Sequence, residues 1–138
     1  MQVRRTVLDA IVAHAQRESP HECCGLLLGD GYSVVEAVAA TNVADEPLRH
    51  YEVSPVEHLA QIKRCRAEST AGKPLDIVGA YHSHPRTIAQ PSLTDLERAC
   101  QSFLFVIAGP VRDADDVPVR GYRLSGTQFE EVDLVGID

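Results

Sequence analysis

"LDIVGAYHSHPRTIAQPSLTD", Leu75 to Asp95, is the stretch on which the reading of this chain turns. Its first half is rich in apolar residues and alternates little, the pattern of a strand covered on both faces. Pro85 cannot donate to a central ladder, so the strand should end at His84. Side chains alternate faces along a strand, which sends His82 and His84 to the same side, about 7 Å apart along the backbone. Ser92 and Asp95, three residues apart, read as a capping box with Asp in place of Glu, predicting a short helix over "SLTDLERACQ".

Working outward, Leu8, Ile11, Val12 and Ala15 recur with helical period, and Pro20 stops that first helix near "ESP". "CCGLLLGD" followed by "YSVVEAVAATN" reads as a β-hairpin turned at Gly29, Asp30 and Gly31. "NVADEPLRHYEV" is a polar loop. After it Ser54, Pro55 and Glu57 supply an N-cap, a first-turn proline and a capping-box acid for a helix that Gly72, Lys73 and Pro74 end. Beyond Asp95, "SFLFVIAGP" is a buried strand, and "VPVRGYRLSG" and "QFEEVDLV" are two more. The order α-β-β-α-β-α-β-β-β describes an α/β chain with a mixed central sheet between helices.

At 138 residues, with no repeat or linker, residues 1–138 are expected to form one domain. A hydrophobic content of 44% beside 24% charged residues fits a globular core and excludes a disordered tail. A formal charge of −7 argues against nucleic acid, whose binding rests on Lys and Arg neutralising phosphates. Asp9, His14 and Arg17 interrupt the opening segment, which suits neither a signal peptide nor a membrane span, so the expected location is the cytoplasm. Cys23, Cys24, Cys65 and Cys100 lack paired zinc-thiolate spacing and read as buried, reduced residues, with Cys23 and Cys24 on opposite faces of a strand.

The pattern H-x-H-P-x(6)-S-x-x-D would arise by chance in on the order of 1 in 10⁴ sequences of this composition. Two neutral imidazoles and a carboxylate are what a catalytic zinc requires, three protein ligands with a fourth position for water. Zinc lowers the pKa of such a water and polarises a carbonyl. Amide hydrolysis further requires a group to carry the water's proton to the leaving nitrogen.

Taken together, "HECCGLL", "GAYHSHP" and "PSLTD" resemble the JAMM (MPN-plus) metalloproteases, in their compact prokaryotic form. The resemblance covers nearly the whole chain. It implies a cytidine-deaminase-like three-layer α/β/α sandwich with a mixed central sheet, one Zn2+ per chain held by His82, His84 and Asp95, Glu22 as the acid/base residue, and Ser92 as the oxyanion donor. Spacing alone does not bring Glu22 to the metal. The short path from Asp95 to "SFLFVIAGP" leaves no room for the second ubiquitin-gripping insertion of eukaryotic members. The implied activity is zinc-dependent isopeptidase or peptidase cleavage after the C-terminal Gly-Gly of a ubiquitin-like or sulfur-carrier protein, bound as a strand added to a sheet edge. A non-catalytic MPN-type scaffold is the alternative, although every ligand is retained. A zinc deaminase would need H-x-E with P-C-x-x-C, which the chain lacks. The expected partner is that carrier protein or its conjugates, with neither nucleic acid nor membrane, and a homodimer is compatible with the sequence.

Overall fold

The computed structural model describes residues 1–92, 95, 103–110 and 118–138. In chain order these form β1 (Gln2–Arg4), α1 (Arg5–Glu18), β2 (Cys24–Gly29), β3 (Ser33–Ala40), α2 (Pro55–Thr70), β4 (Asp76–Ser83), β5 (Leu104–Ala108), β6 (Val119–Ser125), β7 (Gln128–Val132) and β8 (Val135–Ile137). The helix expected over "SLTDLERACQ" lies, apart from Ser92 and Asp95, outside the described residues, as does Cys100.

All the described strands join one mixed sheet in the order β7-β6-β5-β4-β2-β3-β1-β8. β4 pairs antiparallel with β2 and parallel with β5, so both of its edges are occupied. Among the described residues β4 itself therefore offers a substrate tail no free edge, which corrects the expected addition of a strand to it. The β2–β3 hairpin forms as the sequence suggests. Gly31 turns it at φ 97, and the Asp30 carboxylate accepts the backbone N–H groups of Tyr32 and Ser33 at 2.9 Å each. The short strands β1 and β8 were not expected; three residues each are too few for periodicity to register.

Two contacts place the helices on opposite faces. His14 of α1 meets the Tyr81 hydroxyl at 2.7 Å, whereas Arg64 of α2 grips Glu36 of β3 through two bonds of 2.6 and 2.7 Å. Tyr81 belongs to one side of the sheet with Leu27, Leu104 and Val106, packed under Val7, Ile11 and Ala15 of α1. Glu36 stands opposite Leu28 in the register, on the other side. The face of α1 that turns inward is centred on Val7, Ile11, His14 and Ala15, with the expected Leu8 and Val12 partly buried against the same core. His14 joins that face because its bond to Tyr81 meets the need of a polar ring in the core.

α2 begins as expected at Ser54, whose hydroxyl accepts the Glu57 N–H at 3.4 Å. The Glu57 carboxylate does not close the capping box. It reaches Thr41 instead, accepting its N–H at 2.8 Å and its hydroxyl at 3.1 Å, which ties the helix start to the end of β3. No helix among the described residues is long and apolar enough to cross a membrane.

Candidate metal centre

Period-two alternation sends Tyr81 toward α1 and His82 to the opposite face. His84 follows on the same side, one residue past β4, its N–H held by the Ala108 carbonyl at 2.8 Å. The two rings converge edge to edge, with Nε2 of His82 3.1 Å from Nε2 of His84. Asp95 faces both rings: Oδ1 lies 3.2 Å from His82 Nε2 and Oδ2 lies 3.3 Å from His84 Nε2.

The aspartate is oriented by the expected reciprocal bonds with Ser92. The Ser92 N–H donates to Asp95 Oδ2 at 2.7 Å, and the Asp95 N–H donates to Ser92 Oγ at 3.1 Å. Ser92 itself is exposed on the wall of the site.

Glu22 arrives through strand register. Cys24 pairs with His82 in the antiparallel β2–β4 ladder, so continuing two residues outward sets Glu22 opposite His84. Both backbone groups of Glu22 are held by the loop over residues 41–53: its N–H donates to the Pro47 carbonyl at 2.8 Å, and its carbonyl accepts from Asn42 Nδ2 at 2.9 Å. Glu22, His82 and His84 each offer a ligand atom within 4.8 Å of the others.

These donors fit a tetrahedral divalent ion. Zinc bonds of about 2.0–2.1 Å require ligand-to-ligand edges of roughly 3.3–3.4 Å. The distances of 3.1, 3.2 and 3.3 Å among the two Nε2 atoms and the two Asp95 oxygens, one oxygen facing each ring, come within a few tenths of an ångström of that figure. Glu22 belongs to a looser grouping, bounded only by 4.8 Å. Two ring nitrogens and a carboxylate brought this close are held together by a shared proton or a cation.

The electrostatics follow from burial. Loss of water pushes His82 toward its neutral form against the pull of Asp95. Burial opposes charge on His84 as well, but the Asp95 carboxylate and the Ile88 carbonyl outweigh it and raise the ring's pKa. Burial would raise Asp95, yet the bonds from His82 and His84 hold it well below the usual carboxylate range. Glu22 behaves oppositely: burial pushes it up to about 7, against the pull of His84 and with a small push from Asp95.

A cavity of about 450 Å³ opens over Glu22, His84, Ser92 and Asp95. One wall is Leu48, Arg49, His50 and Tyr51, the other Pro85, Arg86 and Thr87. Tyr51 was not singled out in the sequence. Its ring stacks on His82 with centroids 4.2 Å apart and planes 16° apart. The signal available was an aromatic residue inside a polar loop of a chain that is only 5% aromatic. His21, adjacent to Glu22, is exposed.

Of the thiols, Cys23 and Cys24 are free and buried, Cys23 in the core under α1, with burial raising them to about 11 and about 12. Cys65 is likewise free and buried. None of the three belongs to the cluster.

A mixed sheet between two helices, whose ladder register carries an early glutamate to an H-x-H-P strand end, is the plan of a JAMM/MPN-type α/β protein. A solved JAB1/MPN domain protein from Archaeoglobus fulgidus shares the fold with a TM-score of 0.65 at 20% identity, over 100% of both chains. Within this class the chain belongs to the Prok-JAB family, the prokaryotic homologs of the JAB domain, which matches residues 4–124. It is 35% identical over 133 residues to the desampylase of Haloferax volcanii, covering 91% of this chain and 88% of that protein. It is 32% identical over 131 residues to the CysO-cysteine peptidase of Mycobacterium tuberculosis, covering 94% and 86% respectively.

Proposed function

We propose that this chain is a zinc-dependent hydrolase that cleaves the isopeptide or peptide bond following the C-terminal Gly-Gly of a ubiquitin-like or sulfur-carrier protein. The observation that carries the reading is the convergence of His82 Nε2, His84 Nε2 and the Asp95 carboxylate at 3.1 to 3.3 Å beneath an open cavity. In it His82, His84 and Asp95 hold one zinc per chain. The ion supplies Lewis acidity at the scissile carbonyl and acidifies water.

The chain's own residues do the rest. Glu22, with a carboxyl near 7, is matched to accept a proton from water and return it to the leaving nitrogen at neutral pH. Ser92 Oγ accepts from the Asp95 N–H, which keeps its own hydroxyl proton for an oxyanion on the cavity side. The buried carboxylate beside a ligand histidine has no use in a non-catalytic scaffold, where it would only cost stability.

The relatives named desampylase and CysO-cysteine peptidase carry the names of cleaving enzymes, and we take a carrier of this kind as the substrate here. A Gly-Gly tail suits a cavity walled on both sides, because glycine lets the backbone approach the ion without a side chain in the way. We also assign the chain to the cytoplasm, which its free thiols support, and take a protein rather than nucleic acid as partner, in keeping with the charge of −7.

The test is a cognate carrier fused to a short C-terminal extension, compared with the same fusion whose last glycine is valine. Cleavage of the valine fusion should be at least about tenfold slower, equivalent to roughly 1.4 kcal/mol. Equal rates, or hydrolysis of unrelated peptides in preference to both, would sink the carrier assignment.

A further inference from the structure

His82 and His84 are secured differently. His84 follows the usual arrangement of a metal-ligating imidazole, in which the second ring nitrogen donates to a carbonyl or carboxylate: its Nδ1 donates to the Ile88 carbonyl at 3.0 Å. His82 has no such partner among the described residues. Its Nδ1 is buried and makes no hydrogen bond among the described residues, although the residue is only 1% exposed. The outer torsion of a histidine has a broad minimum, so a ring without a second anchor tilts at little cost.

Tyr51 supplies the missing restraint. Its ring lies 4.2 Å from the His82 ring and within 16° of parallel, which fixes the plane of the imidazole. Asp95 Oδ1, 3.2 Å from Nε2, then fixes which edge faces the cluster. Tyr51 sits on a loop, and Asn42 holds that loop on both sides of it. Asn42 Nδ2 donates to the His50 carbonyl at 3.0 Å, and Asn42 Oδ1 accepts the Glu52 N–H at 3.0 Å. Oδ1 also accepts the Ala44 N–H at 3.0 Å, and Nδ2 donates to the Glu22 carbonyl at 2.9 Å. Two donors and two acceptors are all that a carboxamide has, and each is used.

We propose that Asn42 and Tyr51 form a clamp that positions His82 for the metal, with Tyr51 setting the plane of the ring by stacking and Asn42 setting Tyr51. The inference rests on the zinc reading of the site. Both are positioning residues, acting on the ion through His82. The stacking face, not the tyrosine hydroxyl, carries the effect, and the same carboxamide couples the His82 clamp to the backbone of Glu22.

The experiment measures zinc affinity by competition with a chromophoric chelator, using the full chain as wild type, Tyr51→Phe, Tyr51→Ala, Asn42→Ala and the double variant Asn42→Ala/Tyr51→Ala. Metal-free melting temperatures are recorded alongside. Tyr51→Ala should bind zinc about ten- to a hundredfold more weakly, the usual effect of losing an outer partner of a ligand. Tyr51→Phe should restore wild-type affinity. Asn42→Ala should weaken binding in the wild-type background and add little once Tyr51 is alanine, because the two act in series. Unchanged affinity in Tyr51→Ala, or Tyr51→Phe as weak as Tyr51→Ala, overturns the clamp. If Asn42→Ala does not fold, the two Tyr51 variants still decide it. A wild-type chain that takes up no zinc overturns the hydrolase reading itself, a result distinct from zinc uptake indifferent to Tyr51.

Discussion

Glu22 faces His84 across the β2–β4 ladder, two residues beyond the Cys24–His82 pair, and so stands beside the cluster while its own strand begins at Cys24. That placement gives the carboxyl its altered acidity, since it is buried with His84 and Asp95 as its charged neighbours. Glu22→Gln keeps the shape and removes the titrating group. Turnover is expected to fall by about 10² to 10⁴, with zinc content by elemental analysis unchanged. Wild-type turnover in this variant would assign the proton to another group.

The same burial predicts a pH dependence for the metal-free chain. Glu22 titrates near 4.5 when exposed and near 7 in the fold, so the folded state holds a proton that the unfolded state has released. Its ionisation cost is absent at low pH and develops as pH rises through that interval. Thermal melts of metal-free wild type and Glu22→Gln, compared between pH 4.5 and 7, should therefore diverge upward in favour of the glutamine variant. Parallel curves would place the carboxylate in water.

Removal of any one ligand should empty the site. His82→Ala, His84→Ala and Asp95→Ala each leave two of the three close donors, and each should lose most of the zinc held by wild type. Glu22→Ala, by contrast, should retain it. If Glu22→Ala loses the metal and Asp95→Ala keeps it, the third ligand is Glu22.

Ser92 has two roles that separate by measurement. Its hydroxyl accepts the Asp95 N–H, so Ser92→Ala should cost about 1 kcal/mol as a lost cap. If the hydroxyl also donates to an oxyanion, kcat should fall by about 10² to 10³. A lower melting temperature at full activity would leave the capping role alone.

Gly79 tests the seat of the histidines. It lies opposite Leu104 in the β4–β5 pair, and a Cβ there would overlap the Leu104 carbonyl, which is backbone and cannot swing aside. Gly79→Ala should destabilise the fold by about 1–3 kcal/mol or more, read from chemical denaturation. At Gly25 a Cβ would meet the Tyr81 ring instead, pressing on the partner of His14.

The parts of this site that the sequence made legible are those set by local geometry. His82 and His84 share a face because strands alternate, and Ser92 and Asp95 exchange bonds because a helix start brings such neighbours together. Glu22 was not placed by local geometry, since its approach depends on which residue of β2 meets which residue of β4 across about sixty intervening residues. Tyr51 was hidden for the same reason: a polar loop takes its shape from Asn42, and nothing in the spacing of Asn42, His50 and Glu52 announces four bonds to one carboxamide. Glu57 misled at one point, its sequence position favouring its own helix cap while a tertiary partner, Thr41, claimed it.

The interior position of β4 also divides the molecule by timescale. Strand amides flanked on both sides, such as those of Tyr81 and His82, exchange with solvent through the rarest openings. β4 thus keeps His82 in register with its neighbours until the sheet itself opens, and hydrogen exchange at these amides should follow the global unfolding free energy.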